Sequence, residues 1–353
     1  MKMKLFIIAL LALIISASCH IHLESSVSDA QIFSQFQHFM ETHSKKYTTI
    51  EETKERFEIF RQNYKKIELT KKMLSAHQEQ PLFEMGITKF SDMTPAEFQK
   101  SLLNLDLSLM QRLKVLYGKN EIVPTFSKGN APEAYDWREI GAVSPVKNQG
   151  MCGSCWAFSA VGNIEAVYTI KTNKTQLFSE QQLVDCDKEQ NQGCNGGLMD
   201  NAFAYLEKTG IMAAKDYPYA GRDNKCVFDA NKVALKVTGY KFATGTSAKA
   251  VDENNLKQLL FENGPFAIAI NASPLQFYLW GVFNPWFEFI CNPKELNHGV
   301  LLVGYGVSGN TPYWIIKNSW GSGWGEKGFF RLIGGKGACG FNTYVVTAEV
   351  EDI

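Results

Sequence analysis

The stretch Gln149-Gly150-Met151-Cys152-Gly153-Ser154-Cys155-Trp156-Ala157-Phe158 decides how this chain is read. Two cysteines stand three positions apart, and the residues after them are helical in pattern. Ala157, Ala160, Val161, Ile164 and Val167 share one apolar face of a helix that Ser154 can cap and that runs to about Ile170. Cys155 then stands at a helix N-terminus, where partial positive charge favours thiolate over thiol. A thiolate there suits attack on a carbonyl carbon. The cysteine count adds to this. The chain has Cys19, Cys152, Cys155, Cys186, Cys194, Cys226, Cys291 and Cys339, and Cys19 falls at the end of a leader. The seven that remain are an odd number. A left-over thiol in a secreted chain is either a partner for another chain or a reactive group. Counting alone does not choose between a bridged Cys152 with a free Cys155 and the reverse.

The leader has the three parts of a secretory signal: Lys2 and Lys4, the apolar run from Leu5 to Ile15, and the small residues Ser16, Ala17 and Ser18. The run is short for a membrane span, and no later stretch is long and apolar enough for one. A secreted chain is free to form disulfides. The formal net charge is zero, from 36 basic and 36 acidic residues. Residues before 131 contribute 17 basic and 14 acidic, and the rest 19 and 22. Offsets of +3 and −3 give no basis for a nucleic-acid or membrane-surface partner. The apolar fraction of 45% fits a folded protein.

Between the leader and the central stretch, residues 30–80 read as helical. Glu52, Arg56, Phe60, Asn63 and Ile67 fall on one helix face, and the spacing predicts a Glu52–Arg56 ion pair. Thr94 followed by Pro95 reads as a helix start. Residues 117–131 carry Gly118, Pro124, Gly129 and Asn130 without periodicity and read as an exposed linker, where proteases cut. From Ala131 onward the texture is densely globular. Its first half is helix-rich. Its second half, from about residue 232, holds short apolar runs at Val300–Tyr305, Tyr313–Lys317, Gly328–Leu332 and Tyr344–Val350, separated by glycine turns.

The central stretch, with Trp314-Ile315-Ile316-Lys317-Asn318-Ser319-Trp320-Gly321, resembles the papain-like cysteine proteases, and most closely their cathepsin L-like branch. The likeness extends from about residue 33 to near the end. It implies an α+β, papain-like two-subdomain fold, with a helical half facing an antiparallel β-barrel-like half, preceded by a helical propeptide domain. The implied organisation is a signal peptide over 1–18, an inhibitory propeptide over 19–130 and a peptidase domain over 131–353. Pro132 matches the second residue of mature relatives, so cleavage is expected near Asn130 or Ala131. The resemblance makes Cys155 the nucleophile and Cys152 a bridged cysteine. His298, the one histidine after residue 130, stands 143 positions beyond Cys155 and matches the acid–base partner. Asn318 matches the residue that orients its ring, and Trp320 the shield over that bond. Gln149 matches the oxyanion-hole amide. The implied disulfides are Cys152–Cys194, Cys186–Cys226 and Cys291–Cys339.

The same resemblance places Gly197, Leu198, Met199, Ala272, Leu296, Asn297, Gly299, Trp320 and Tyr344 around the bound substrate. The P2 pocket is then apolar, without an acidic residue at its base, and Tyr344 makes it shallow. A preference for Leu, Val or Ile at P2 is expected. Asn297 stands where aspartate is common, which predicts a shifted pH profile. Glu52 to Ile67 and Gly86, Phe90 and Asp92 match the propeptide motifs, with Lys71 and Thr88 where asparagine is common. In relatives this segment runs through the cleft in reverse; acid release through Glu52 or Asp92 is expected. Residues 284–289 look longer and more aromatic than usual. Asn173 heads a glycosylation sequon, and Asn271 a second, less suitable one before Pro274. The expected partners are protein and peptide substrates, the chain's own propeptide and cystatin-type inhibitors. No metal, cofactor, nucleic acid or membrane is expected, and the enzyme is read as a monomeric endopeptidase, either lysosomal or vacuolar, or secreted. The rival reading is an inactive homologue that only binds peptides.

Overall fold

A computed structural model describes residues 28–77, 82–105, 122–243, 250–285 and 291–351. The proposed leader, Cys19, positions 117–121 of the linker and Trp286–Phe289 of the aromatic stretch lie outside the described residues.

The amino-terminal segment begins with two helices, α1 (Asp29–Thr42) and α2 (Ile50–His77). Ser28 and Gln31 cap α1 reciprocally, satisfying two backbone donors that a helix start leaves open. Ile32, Phe36, Phe39 and Phe60 form the core of this unit. Full burial of each such side chain contributes roughly 1.5–3 kcal/mol. Phe60, Asn63 and Ile67 are buried on one face of α2, but Glu52 and Arg56 do not pair. Glu52 accepts from the backbone N–H and hydroxyl of Thr48, which hold its carboxyl below the usual range. Arg56 reaches across to Glu97 at 2.8 Å instead. A partner on another element, held in place by a helix cap, wins over a neighbour on the same face that Thr48 already engages.

Strand β1 (Phe83–Met85) comes next, then α3 (Pro95–Leu102), capped by Thr94 and Glu97 with Pro95 at its first position. The part after residue 131 opens with β2 (Tyr135–Asp136) and continues through α4 (Cys155–Thr172), α5 (Glu180–Cys186), α6 (Met199–Thr209), β3 (Ile211–Met212), β4 (Val233–Phe242) and α7 (Glu253–Asn263). Strands β5 (Phe266–Ile270), β6 (Tyr278–Phe283), β7 (His298–Ser308), β8 (Thr311–Lys317), β9 (Phe329–Ile333) and β10 (Val345–Glu351) complete it. The sheet order is β1-β6-β9-β8-β7-β5-β10-β4-β3, antiparallel except where β6 meets β9.

The amino-terminal segment thus joins the sheet. β1 adds itself to the edge strand β6, pairing Phe83 with Gly281. Helix α4 is apolar on more than the one face its pattern suggests: thirteen of its eighteen residues are buried. It packs on β5, β7 and β10 of the sheet and on α5 and α6 of the helical half, and only its last turns, with Ile170 and Lys171, reach water. The seam between the halves is tied by charge. Lys147 bridges Glu165 on α4 and Glu180 on α5, and Lys317 on β8 donates to Ser144, which donates to Glu165. Three disulfides, Cys152–Cys194, Cys186–Cys226 and Cys291–Cys339, staple the loops.

Candidate active site

Cys155 is the first residue of α4, fully buried, and the one free cysteine among the described residues. Ser154 precedes the helix but does not cap it with its side chain. Its hydroxyl lies 2.7 Å from that of Tyr219, which donates to the Gln149 carbonyl. The residue therefore braces the loop that carries Gln149. The start of β7 lies directly against the first turn of α4. A Cβ on Gly299 would sit 3.2 Å from the Cys155 carbonyl oxygen, and Ser159 donates to the Val300 carbonyl at 2.7 Å. Gly299 allows this close approach, which sets the start of β7, and with it His298, against the first turn of α4.

The protonation pattern of His298 is set by its neighbours. Its Nε2 lies 2.8 Å from Asn318 Oδ1, and the backbone N–H of Ser319 donates to the same oxygen at 2.8 Å. A backbone N–H only donates, so the atom it faces is the amide oxygen, and His298 Nε2 must carry the proton. The lone pair is then on Nδ1, which is buried without a hydrogen-bond partner. Trp320 lies against the imidazole at 4.8 Å between ring centres and is itself fully buried. It closes the His298–Asn318 bond off from water. Gln149 is held as firmly. Its Oε1 accepts from the Ser319 hydroxyl at 2.7 Å, and its Nε2 donates to the Cys152 carbonyl at 2.9 Å.

The cleft is filled by the chain itself. Where α3 ends, the Leu102 carbonyl lies 3.3 Å from Gln149 Nε2, which places a peptide oxygen on the donor. Leu105 donates to the Asn297 carbonyl and forms a parallel bridge with Gly197. Gly197 is required here, since a Cβ would meet Asn191 Oδ1 at 2.5 Å. Phe90 and Phe98 stand edge-on to Trp320, and Lys89 donates to its carbonyl at 2.6 Å. Burial under this cover pushes the Cys155 thiol up to about 11, against the backbone N–H groups of Gly299, Asn104 and Trp156. The helix N-terminus that should favour thiolate is outweighed by lost water. Burial likewise pushes His298 down to about 4, against the pull of Asn318 and the Leu102 backbone. In the covered state burial thus favours the neutral form of both groups.

Leu198, Met199, Ala272, Leu296 and Tyr344 are buried. Met199 faces Gly299, with its sulfur 3.2 Å from where a Cβ would be. An acid does stand behind this wall, contrary to the apolar expectation. Asp200 is buried and accepts a hydrogen bond from the Tyr344 hydroxyl. Burial raises its pKa, which favours the neutral carboxyl. Asn297 uses its amide to brace the next turn, accepting from the Ala272 N–H at 2.9 Å and donating to Ser273 at 2.8 Å. Asn173 is exposed at the end of α4 in a left-handed conformation, while Asn271 is buried.

Several functional residues had no readable signal in the sequence. Leu102–Leu105 is a plain apolar helix end that only the fold carries into the cleft. Asn191 accepts from the Leu198 N–H at 2.8 Å and donates to the buried Asp187 at 2.6 Å, fixing the strand beside Gly197. Ser319, next to a motif asparagine, serves both Gln149 and Asn318. Among the described residues no cluster of His, Cys, Asp or Glu could hold a metal ion.

Residues 131–349 match the papain family cysteine protease domain, and residues 36–98 match the cathepsin propeptide inhibitor domain. Cysteine proteinase 15A of Pisum sativum is 45% identical over 329 residues, which cover 88% of this chain and 85% of that one. Cysteine proteinase 1 of Dictyostelium discoideum is 39% identical, covering 90% and 92% of the two chains. Among solved structures, the digestive procathepsin L 3 of the Tenebrio molitor larval midgut superposes with a TM-score of 0.77 at 35% identity, covering 90% of this chain and 98% of that one. The chain therefore belongs to the papain family of cysteine proteases, a cathepsin-like zymogen that carries its own propeptide inhibitor domain.

Proposed function

We propose that Cys155 is the nucleophile of a cysteine endopeptidase, with His298 as acid and base, Asn318 as its orienting group and Gln149 as the oxyanion donor. The observation that carries this reading is one free thiol at a helix start, packed under the first residues of the strand that holds His298. With the cleft open, the thiol proton passes to His298 Nδ1. The sulfur attacks the scissile carbonyl carbon, and the oxygen takes the negative charge beside the Gln149 amide. The imidazolium proton goes to the departing amine, leaving a thioester. Water, losing a proton to the same nitrogen, attacks the thioester, and the cysteine is restored with release of the acid.

Gly197 and Asn297 offer backbone groups to an extended peptide, as they do to Leu105. The apolar wall favours Leu, Val or Ile at P2. Asp200, kept neutral behind Tyr344, offers no anion to arginine. A P2-Leu peptide should therefore be cleaved much faster than its P2-Arg counterpart, and equal rates would sink this assignment. The chain enters the secretory pathway through residues 1–18 and works as a monomer in an acidic compartment or outside the cell. Asn173 is its glycan site, cystatin-type proteins are its external inhibitors, and the mature enzyme begins at or next to Ala131.

The test is labelling with an epoxysuccinyl inhibitor after acid processing, then peptide mapping. A single adduct on Cys155, absent in Cys155→Ala, is expected. No adduct on processed, folded protein would favour the peptide-binding homologue instead.

A further inference from the structure

The segment leading into the protease domain is exposed, yet its backbone is not free. Val123, Phe126, Lys128 and Asn130 face water. Between them the main chain is tied down at every second residue. Thr125 and Ser127 donate their backbone N–H groups to the Glu262 carboxylate at 3.0 and 2.9 Å, and the Thr125 hydroxyl adds a third bond. Gly129 accepts from Gln258 Nε2 at 2.8 Å, and Ala131 donates its N–H to Gln258 Oε1 at 2.8 Å. Ile122 is held by the Phe242 carbonyl. Gln258 and Glu262 stand one turn apart on α7 and bond each other at 3.1 Å.

This arrangement matters in two ways. A protease recruits its substrate as an added strand, through that substrate's own N–H and C=O groups. Here alternate groups are already taken, so the junction is shielded along one edge although it lies on the surface. Gln258 is also buried, only 3% exposed, and the junction supplies partners to both ends of its amide. Losing all of them would leave a buried polar group unsatisfied, which costs about 1–3 kcal/mol. A cut just before Ala131 avoids part of that loss. Hydrolysis of the Asn130–Ala131 amide adds the water hydroxyl to the Asn130 carbonyl carbon and its hydrogen to the Ala131 nitrogen. Near neutral pH the products are a carboxylate and an ammonium. The nitrogen stays beside Gln258 Oε1, and Glu262, freed from Thr125 and Ser127, stands one hydrogen bond further on.

We propose that Gln258 and Glu262 form a binding site for the pro–mature junction and then, in the cut enzyme, for the α-ammonium of Ala131. The second half rests on the reading that the chain is cut before Ala131. Glu262 lies outside the catalytic machinery, so the activity of fully matured Glu262→Ala enzyme should be unchanged.

The first arm of the test uses the Cys155→Ser precursor, which cannot process itself, with and without Glu262→Ala. Trypsin is added in trace amount, and scission of the Lys128–Gly129 bond is tracked by mass mapping. At least tenfold faster scission in the Glu262→Ala protein is expected, with Glu262→Gln between the two. Equal rates would overturn the proposal. The second arm sequences the mature enzyme and measures acylation of its α-amine at pH 7. A pairing with Glu262 that raises the amine pKa by about one unit slows acylation about tenfold. Faster acylation in Glu262→Gln is therefore expected, and no difference would overturn the ammonium half. A mature terminus other than Ala131 would instead fault the reading of the cut, while the trypsin arm would still decide the clamp.

Discussion

Ser319 joins the two polar groups that the chemistry needs, since its hydroxyl fixes Gln149 and its N–H fixes the Asn318 oxygen. Gln149 is consequently preorganised, and its loss should be felt in the transition state rather than in binding. Gln149→Ala is expected to lower kcat by about 10²–10³ with little change in KM, measured on a P2-Leu peptide. A rise in KM at constant kcat would assign Gln149 to ground-state binding. The residues proposed for these roles stand out in the sequence because the cysteine, glutamine and asparagine sit in short contiguous motifs. Asp187 and Asn191 were not legible, because their meaning comes from a buried contact with Leu198 across a loop. Burial, opposed by the Asn191 amide, pushes the Asp187 carboxyl up to about 7. A raised folded-state value favours the protonated fold, so this contribution is full below about pH 4 and is lost as pH rises toward 7. Asp187→Asn keeps an acceptor for Asn191 without the charge. Tested in the Cys155→Ser precursor, it should raise Tm at pH 7.5 and leave it nearly unchanged at pH 4. The opposite order would mean that Asp187 is ionised throughout.

At the scale of elements, helical spacing places the buried face of α2 correctly but offers Arg56 the wrong partner. The helical period identified the face of Phe60, Asn63 and Ile67, because periodicity reports which side meets a neighbour. It could not report which neighbour, so Arg56 was matched with Glu52 when Glu97 on α3 is the partner. Asn63 shows what that face does. It is buried and donates to the carbonyls of Ser91 and Met93 at 2.9 and 2.8 Å. The same turn is gripped from the protease side by Gln276, which donates to Phe90 and Met93. Thr88, where asparagine is common, takes its place in this grip by donating to the Gln276 carbonyl at 2.6 Å. Asp92 is bound twice, by Lys45 at 2.8 Å and by Tyr47 at 2.9 Å. Asn63→Ala leaves the Ser91 carbonyl without its donor and the Met93 carbonyl to Gln276 alone, and should weaken the propeptide by about 1–3 kcal/mol. The expected readout is a lower Tm of the Cys155→Ser precursor and faster labelling of the otherwise wild-type precursor at neutral pH. An unchanged Tm would show that water replaces the amide at no cost.

The whole molecule joins two halves whose seam carries the proposed nucleophile Cys155 and its proposed partner His298, and the propeptide covers that seam. The two-half architecture was legible from the switch in pattern near residue 232. The covering segment was not, since apolar residues such as Leu102 and Leu105 look the same whether they fill a core or a cleft. Its effect on the chemistry extends beyond blocking access. Burial pushes the Cys155 thiol up and the His298 imidazole down, and both shifts work against a thiolate–imidazolium pair. At pH 7 a thiol raised in this way is overwhelmingly protonated. Removing Leu102–Leu105 brings water back, lifts the burial that causes both shifts, and lets the helix N-terminus and the imidazolium favour the thiolate. Two causes of latency are thus separable. Steric cover alone would slow alkylation by iodoacetamide by a constant factor at every pH. Suppressed ionisation makes the precursor rate rise about tenfold per pH unit from 6 to 9, while the mature enzyme changes far less over that range. The precursor, measured in the cold before processing begins, should therefore show the steep slope and lag mature enzyme by at least about 10²-fold at pH 6. Parallel pH profiles for the two forms would mean that the propeptide acts by cover alone.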